Sequence, residues 1–222
     1  MTVEELPALG HRYTDVLDET CSECSHSRDV TAGVVGMIPI RTIFQYVGGS
    51  ADNTQLGAAE NSAVYTANGK EYTAFRIPGK YVTDTADFST IVLDGVSYPI
   101  LERGIILGLE GQELTVNSPN KVAVTENFRQ KYWEYDAATK TVTYTALVKN
   151  VTRENKNVRY IARSYVKVSI KGTVQIVYSD TSIAFTPQSV YNSTVKVLQA
   201  QGKAAPIWFK SDQFDDGIIE LE

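Results

Sequence analysis

The chain has 222 residues, of which 43% are hydrophobic and 21% are charged, and these are ordinary proportions for a globular protein. Its net charge of −5 and its isoelectric point near 5.2 argue against nucleic acid as a partner and against docking on anionic lipid. No apolar run approaches the roughly 18–20 residues that a membrane span requires, so we expect no membrane span in this chain.

Residues 1–30 form a polar, charged segment that is too hydrophilic to build a core of its own. Met1–Gly10 is acidic and lacks the apolar stretch of a secretory signal peptide, which predicts either a cytosolic protein or a piece of a longer exported one. The two cysteines, Cys21 and Cys24, are too few for a disulfide scaffold in a chain of this length.

The CxxC spacing of Cys21 and Cys24 is compatible with a zinc knuckle, because two thiolates at this spacing can share one metal ion. The two histidines of the chain, His11 and His26, lie in the same segment, which makes a Cys2His2 zinc site a candidate. An inert or disulfide-linked linker is the alternative interpretation. A redox pair is less favoured, because the neighbouring acidic residues are expected to raise the thiol pKa.

A β-domain is predicted over residues 31–201, where the composition becomes apolar and β-branched. Its first strand is predicted at about Ile40–Val47. Asn68-Gly69 and Asp94-Gly95 each lie between two strand-like runs and predict type I′ hairpin turns, in which both central residues need a positive φ. The nearly continuous apolar run Ile100–Gly108 predicts a strand covered on both faces, with its glycines at a bulge or a close backbone approach.

The clearest strand pattern of the chain lies between Thr141 and Tyr178. Apolar residues there alternate with a period of two, which predicts three strands with one face toward a core and the other toward solvent. Lys171-Gly172 is the predicted turn between the second and third strands. A preceding strand at Lys131–Tyr135 is predicted to pair with the first of the three across the Asp136–Lys140 turn.

One helix is predicted, at Val190–Gln201, with Gln188 or Ser189 opening it and Gly202 ending it. Residues 202–222 are predicted to be a C-terminal tail or a last edge strand. Short strands punctuated by turns, without βαβ alternation, predict a single β-sandwich.

Catalysis by a Ser-His-Asp or Cys-His arrangement needs a histidine in the folded domain, and both histidines precede residue 31. No nucleotide-binding, zinc-protease or serine-hydrolase motif is present. A pair of acids that meets only in the fold, as in glycosidases, is a distant alternative, although a solvated structural role is favoured for each acid. The acids considered are Glu102, Glu110, Glu113, Glu126 and Glu134.

Two aromatic clusters are candidates for stacking against sugar rings. Tyr132, Trp133 and Tyr135 lie on a predicted strand, and Trp208 lies beside Phe209 near the C-terminus. Core and cross-strand packing is the alternative, because alternation along a strand prevents all three residues of the first cluster from facing the same way.

Calcium is a second candidate metal, because it binds carboxylate clusters on loops. The acids considered for it are Asp84, Asp87, Asp215 and Asp216, none of which follows an EF-hand pattern. The alternative is that these residues are solvated loop acids.

Residues 11–28 resemble a short repeat with the pattern His-x-Tyr-x-x-x-Cys-Asp-x-x-Cys-x-x-Cys-Gly-x-x-Arg. This repeat occurs in large exported or cell-wall proteins of gut Firmicutes. Leu17 replaces its first Cys and Ser25 replaces its Gly. The matching residues are His11, Tyr13, Asp18, Cys21, Cys24 and Arg28.

The body of the chain resembles a β-rich module of the same kind of protein, in residues 102–108, 142–150, 160–168, 177–180 and 189–191. In those proteins the module follows the Cys repeats or lies near sugar-processing and dockerin-bearing regions. The resemblance implies a non-enzymatic segment that is extracellular or displayed at the cell surface. It also implies that the signal peptide lies outside this fragment.

We therefore expect an all-β protein: an immunoglobulin-like β-sandwich with one short C-terminal helix and an extended N-terminal Cys-bearing segment. The leading hypothesis is a non-catalytic spacer, adhesion or protein-interaction module of a bacterial surface or secreted protein. The alternative is a carbohydrate-binding module with a polysaccharide as its partner. A carboxylate-based glycoside-processing enzyme is more distant.

Overall fold

Two antiparallel β-sheets and one helix make up the described part of the chain. The computed structural model describes residues 12–13, 16–40, 43–48, 70–86, 88–123, 133–148 and 151–202. The helix is α1 (Pro187–Ala200). The strands are β1 (Val35–Met37), β2 (Ile43–Gly48), β3 (Lys70–Val82), β4 (Thr90–Leu93), β5 (Val96–Leu109), β6 (Lys121–Ala123), β7 (Glu134–Asp136), β8 (Thr141–Val148), β9 (Tyr160–Ile170), β10 (Thr173–Tyr178) and β11 (Ile183–Phe185). An all-β, sandwich-like class with one C-terminal helix is therefore confirmed.

The first sheet is organised around the long strand β3. Its second half, Phe75–Val82, pairs with the whole of β8, and β7 continues the sheet beyond β8. β2 and β1 share the other edge of β3 one after the other, since β2 pairs with Lys70–Phe75 and β1 with Gly79–Tyr81. The strand predicted at Ile40–Val47 corresponds to β2, but it is not the first strand, because β1 precedes it on the same edge of β3.

The second sheet is organised around β5 and β9, which pair over most of their length. β10 and β11 take the outer edge of β9, whereas β4 and β6 pair with the first and second parts of β5. The register of β5 against β9 shifts between Ile100 and Glu102, so the extra residue Leu101 makes a bulge and is 55% exposed. The predicted strand at Ile100–Gly108 lies within β5. Its bulge is at Leu101, whereas Gly108 lies at a close approach, because a Cβ there would be 2.7 Å from Cδ2 of Leu114.

The main core lies between the two sheets and is filled by the alternating residues of β8 and β9. In β8 these are Val142, Tyr144 and Ala146, all buried, as the period-two pattern predicts. Tyr144 crosses the gap between the sheets and donates its hydroxyl hydrogen to the carbonyl of Gly104, at 3.2 Å. Gly79 allows this approach, because a Cβ at that position would lie only 2.9 Å from Cζ of Tyr144.

A smaller apolar cluster covers the outer face of the second sheet. Ile106 of β5 and Tyr165 of β9 are fully buried there beneath Leu114, which belongs to the loop after β5. The prediction that β5 is covered on both faces is therefore confirmed for this part of the strand. In β10 the side chain that enters the main core is Val177, while Ile176 and Tyr178 pack against the outer cluster.

The described turn residues have the backbone conformation that their sequences predict. Asp94 and Gly95 have φ values of 50° and 74°, and Lys171 and Gly172 have values of 49° and 77°. Both pairs therefore satisfy the positive-φ requirement of a type I′ turn. The predicted Asn68-Gly69 turn lies outside the described residues.

The helix begins earlier than the sequence prediction places it. Thr186 is the N-cap, and its hydroxyl accepts the N–H of Ser189, while the Ser189 hydroxyl accepts the N–H of Thr186. Pro187 is the first helical residue, where its fixed φ suits the helix and its missing N–H costs nothing. The sequence prediction therefore placed the helix start too late, at Gln188 or Ser189, because it did not recognise Thr186 as the N-cap and Pro187 as the first helical residue. Gly202 ends the helix with a φ of 68°, as predicted.

Candidate functional site

The Cys-bearing segment folds back on itself instead of being extended as expected. Residues 16–30, called here the Cys hairpin, are closed by an isolated antiparallel bridge between Thr20 and Ser27. Two backbone hydrogen bonds flank the bridge: Cys21 N–H donates to the carbonyl of His26 at 2.9 Å, and Arg28 N–H donates to that of Glu19 at 2.7 Å. The CxxC sequence therefore lies at the closed end of a defined loop.

The two cysteines are free thiols in different surroundings: Cys21 is buried and Cys24 is exposed. The Sγ of Cys21 accepts the backbone N–H groups of Glu23 and Arg12, each at 3.4 Å. The Glu23 N–H lowers the pKa of Cys21 most, burial opposes it, and hydrogen bonds from Arg12 and Cys24 lower it further. The expectation that acidic neighbours raise this pKa was wrong for Cys21, because backbone donors dominate.

Two of the four predicted metal ligands are close enough to interact, because a hydrogen bond between the side chains of Cys21 and Cys24 is among the causes that lower the pKa of Cys21. His26 is exposed, and its carbonyl group bonds to Cys21. No group of three His, Cys, Asp or Glu side chains is assembled among the described residues. His11 lies outside them.

Arg28 connects the Cys hairpin to the sandwich. Its guanidinium group pairs with Asp94 of the turn between β4 and β5, with Nη1 2.5 Å from Oδ2. The other nitrogens bond within the segment, since Nη2 donates to the carbonyl of Val16 and Nε to that of Asp18, both at 3.1 Å. The same group lies 3.6 Å from the ring centroid of Tyr13. Tyr13 and Arg28 entered the sequence analysis only as matches to a repeat.

Further contacts hold the hairpin and the residues that follow it against the sandwich. Val16 and Leu17 are partly buried and pack against the main core. The N–H of Gly33 donates to the carboxylate of Asp180, beyond the end of β10, at 2.7 Å. The segment is thus held by an ion pair, apolar contact and a hydrogen bond.

The described members of the first aromatic cluster, Trp133 and Tyr135, are not exposed side chains. Trp133 is 7% exposed, its ring packs edge-to-face on Phe88 at 5.7 Å, and the guanidinium of Arg103 lies 4.4 Å from its centroid. Tyr135 is partly buried and packs against the main core. The core-packing alternative therefore describes Trp133 correctly. Tyr132 and Trp208 lie outside the described residues.

Arg103 is a buried charged residue that sequence reasoning missed. It is 8% exposed, and its Nη1 donates to the hydroxyl of Tyr81 and to the carbonyl of Phe88, both at 2.5 Å. Phe88 has a φ of 64°, unusual for a bulky residue. Among the described residues, Nε1 of Trp133 has no hydrogen-bond acceptor. The available sequence signal was a lone arginine within the apolar run Ile100–Gly108.

Among the candidate acids that the structure describes, Glu102 is the one bound by a network of three hydrogen-bond donors. One of its oxygens accepts the hydroxyl of Tyr165 at 2.7 Å and the ammonium groups of Lys121 and Lys167, both at 3.0 Å. Burial raises the pKa of Glu102, but these three hydrogen bonds outweigh burial and lower it to about 2. The carboxylate is thus held ionised by a cationic network.

The other candidate acids occupy ordinary surface positions where they are described. Glu110 pairs with Arg159, and Glu113 and Glu134 are exposed. Asp84 accepts hydrogen bonds from the hydroxyl groups of Ser97 and Thr90, which lower its pKa, with Ser97 contributing most. The remaining candidates lie outside the described residues: Asp87, Glu126, Asp215 and Asp216.

No protein-family model, no curated protein and no solved structure matches this chain. Within the described residues, no helix is both long enough and apolar enough to cross a lipid bilayer. The functional interpretation therefore depends on the geometry of the Cys hairpin and on how it is attached to the sandwich.

Proposed function

We propose that this chain is a non-catalytic module of a bacterial surface or secreted protein, and that it serves as an extracellular spacer. In this proposal the sandwich has an immunoglobulin-like general architecture, and the Cys hairpin is its rigid connection to the polypeptide on its N-terminal side. The observation that carries the proposal is the position of Arg28, which joins the Cys hairpin to the turn between β4 and β5. The resemblance of residues 11–28 to a repeat of exported proteins supports the extracellular location.

A rigid spacer keeps neighbouring segments at a fixed angle, and Arg28 is suited to this task. A planar guanidinium can pair with a carboxylate, donate to carbonyl groups and stack on an aromatic ring at the same time. Here it pairs with Asp94 on the sandwich while stacking on Tyr13 and bonding to the segment's own carbonyl groups. Rotation of the hairpin would break the pair with Asp94, whereas the contacts inside the segment hold the guanidinium in the position that this pair requires.

The backbone of Asp94, the carboxylate partner of Arg28, is constrained by the turn in which it lies. Asp94 is the first central residue of a two-residue turn and has a positive φ, which the tight hairpin between β4 and β5 requires. The same residue therefore shapes the turn of the sandwich and anchors the hairpin. Val16 and Leu17 add apolar contact with the main core beside this anchor.

The test is a comparison of backbone order in the Cys hairpin and in β9 by ¹⁵N relaxation. A rigid spacer requires order parameters of about 0.85 in both regions, whereas values below about 0.6 in the hairpin would contradict the proposal. Asp94→Asn keeps a residue that tolerates the left-handed turn but removes the negative charge, so the hairpin is expected to lose order while β9 does not. Arg12→Gln is the matched control, because it removes only an exposed pair with Glu23.

Binding measurements separate the spacer from the other candidate roles. The spacer proposal expects no retention of the chain on an array of host and plant polysaccharides, with or without calcium. Reproducible binding that is lost in Trp208→Ala, with the circular dichroism spectrum unchanged, would replace the spacer by a carbohydrate-binding module.

A further inference from the structure

The CxxC loop brings two potential metal ligands into one short segment. Cys21 and Cys24 are three residues apart, both are reduced, and their side chains are in hydrogen-bonding contact. The bridge between Thr20 and Ser27 closes the loop that contains both cysteines. Two sulfur atoms held together in this way form one edge of the tetrahedron that zinc prefers, with Zn–S distances of about 2.3 Å.

The backbone around Cys21 is arranged to stabilise a negatively charged sulfur. Two peptide N–H groups, from Glu23 and from Arg12, point at Sγ from different parts of the chain. A thiolate is the form of cysteine that binds metal ions, and hydrogen bonds to a ligand atom hold it in place and tune it. A buried cysteine with a purely structural role would need no such donors, because a neutral thiol is a weak acceptor.

His26 is positioned to supply a third ligand. Cys21 and His26 are the first residues after the bridge on the two arms of the hairpin, and the Cys21 N–H bonds to the His26 carbonyl group at 2.9 Å. Residues facing each other in this way have Cβ atoms about 4.5–5.5 Å apart. In the structure the imidazole is exposed and does not complete a group of three ligands among the described residues, so the site requires it to turn toward the two cysteines.

We propose that the Cys hairpin binds one divalent metal ion of the zinc class through the thiolates of Cys21 and Cys24 and the imidazole of His26. The fourth position is left for water or a further ligand, as in many three-ligand zinc sites. Binding releases the two thiol protons and closes the hairpin around the ion. The metal site goes beyond the spacer role, since the contacts of Arg28 do not depend on it.

The test uses the whole chain under reducing conditions, with Co²⁺ as a spectroscopic probe and Zn²⁺ as the competitor. One equivalent of Co²⁺ is expected to produce thiolate-to-metal charge-transfer absorption in the near ultraviolet, and Zn²⁺ is expected to displace it. Cys21→Ser and Cys24→Ser should each abolish this absorption at one equivalent. His26→Gln should weaken binding by at least about tenfold.

Ser25→Ala is the matched control, because it changes an exposed residue of the same loop and should leave the Co²⁺ titration unchanged. Cys21 is not part of the main core, so thermal unfolding of the sandwich should be similar in all variants. Absence of the charge-transfer band in the reduced protein would overturn the proposal. Undiminished binding by Cys24→Ser would also overturn it, and so would isolation of the protein with a Cys21–Cys24 disulfide and no metal.

The metal test and the spacer test can fail separately. Relaxation is measured on metal-free protein and reports whether the hairpin is fixed to the sandwich through Arg28. Co²⁺ binding reports only on the thiols and His26. An ordered hairpin that binds no metal would overturn the metal site alone, and a metal-binding hairpin that moves independently of the sandwich would overturn the spacer alone.

Discussion

The Cys hairpin and the β-sandwich are held in place by different kinds of contact. The sandwich buries a large set of side chains between its sheets, including Tyr81, Tyr144 and Phe75, which are at most 1% exposed. In the hairpin, Cys21 is the one side chain among the described residues that is buried. Its position depends on backbone hydrogen bonds and on Arg28.

The two regions therefore differ in which substitutions should destabilise them. Hydrophobic burial in the sandwich is spread over many residues, so it scales with area and is not directional. The hairpin is attached to the sandwich by fewer contacts, namely the Arg28–Asp94 ion pair and the apolar packing of Val16 and Leu17. Losing the guanidinium group would remove the ion pair together with the hydrogen bonds that Arg28 makes inside the segment. The four predictions below begin with the core and end with a surface network.

The largest effect is expected from truncation of a core residue. Ile105→Ala removes a side chain that is 1% exposed between the two sheets, and such changes lower the free energy of unfolding by about 2–5 kcal/mol. Leu101→Ala, on the same strand but 55% exposed, should change it by less than about 0.5 kcal/mol. Urea unfolding of both variants checks this, and equal losses would contradict the assignment of the two faces of β5.

A smaller and local effect is expected from Arg28→Lys. The charge remains, but lysine cannot stack as a plane on Tyr13 while donating to the carbonyl groups of Val16 and Asp18. The backbone amide hydrogens of Cys21 and of residue 28 should exchange about tenfold faster or more than in the parent protein. A tenfold change corresponds to a loss of about 1.4 kcal/mol in the free energy of local opening. Amides of β9 should be unaffected, and a parallel loss there would show that hairpin and sandwich open as one unit.

The helix combines both kinds of contact, and a smaller effect is expected from removing its cap. Val190 and Tyr191 bury one side of α1 in the main core, while Thr186 caps its N-terminus. Thr186→Ala is expected to lower the free energy of unfolding by about 1 kcal/mol, measured by thermal denaturation. Gln199→Ala, at an exposed position near the end of the helix, should stay within about 0.5 kcal/mol of the parent protein.

The smallest effect is expected from the network around Glu102 on the outer face of the second sheet. The folded-state pKa of Glu102 is about 2, below its ordinary value of 4.5. Its contribution to stability is therefore complete above pH 4.5 and is lost as the pH falls toward 2. Because the carboxylate is partly exposed, we expect this contribution to be less than about 1 kcal/mol.

Urea unfolding of Glu102→Gln and of the parent protein at pH 6 and pH 3 measures that contribution. The difference between the two proteins should be larger at pH 6 than at pH 3. Glu110→Gln, which removes an exposed pair with Arg159, is the control and should show a smaller pH dependence. A difference independent of pH would mean that hydrogen bonding by the neutral side chain accounts for the effect of the substitution.

Prediction from sequence succeeded where the information was local. The strand β9 has the bounds Tyr160–Ile170 that its alternation suggests, and the turns at Asp94-Gly95 and Lys171-Gly172 have the expected backbone conformation. It missed the helix start, because Gln188 or Ser189 was expected to open the helix, whereas Thr186 caps it and Pro187 suits its first turn.

The candidate site was only partly predictable. The CxxC spacing pointed to Cys21 and Cys24 as a pair, and the structure places them together. The lowered pKa of Cys21 was missed, because the N–H of Arg12 reaches its sulfur from nine residues away. The role of Arg28 was also missed, since its partner Asp94 is 66 residues further along the chain.

The sequence by itself determined the all-β class, the main strands and the tight turns, because alternation and turn chemistry act between residues that are close in the chain. Only the tertiary structure decided which strands are neighbours, that Trp133 and Arg103 pack together in the interior, and that the Cys hairpin is attached to the turn between β4 and β5. These outcomes depend on contacts between distant residues, which are specified by how the two sheets pack and not by any local pattern.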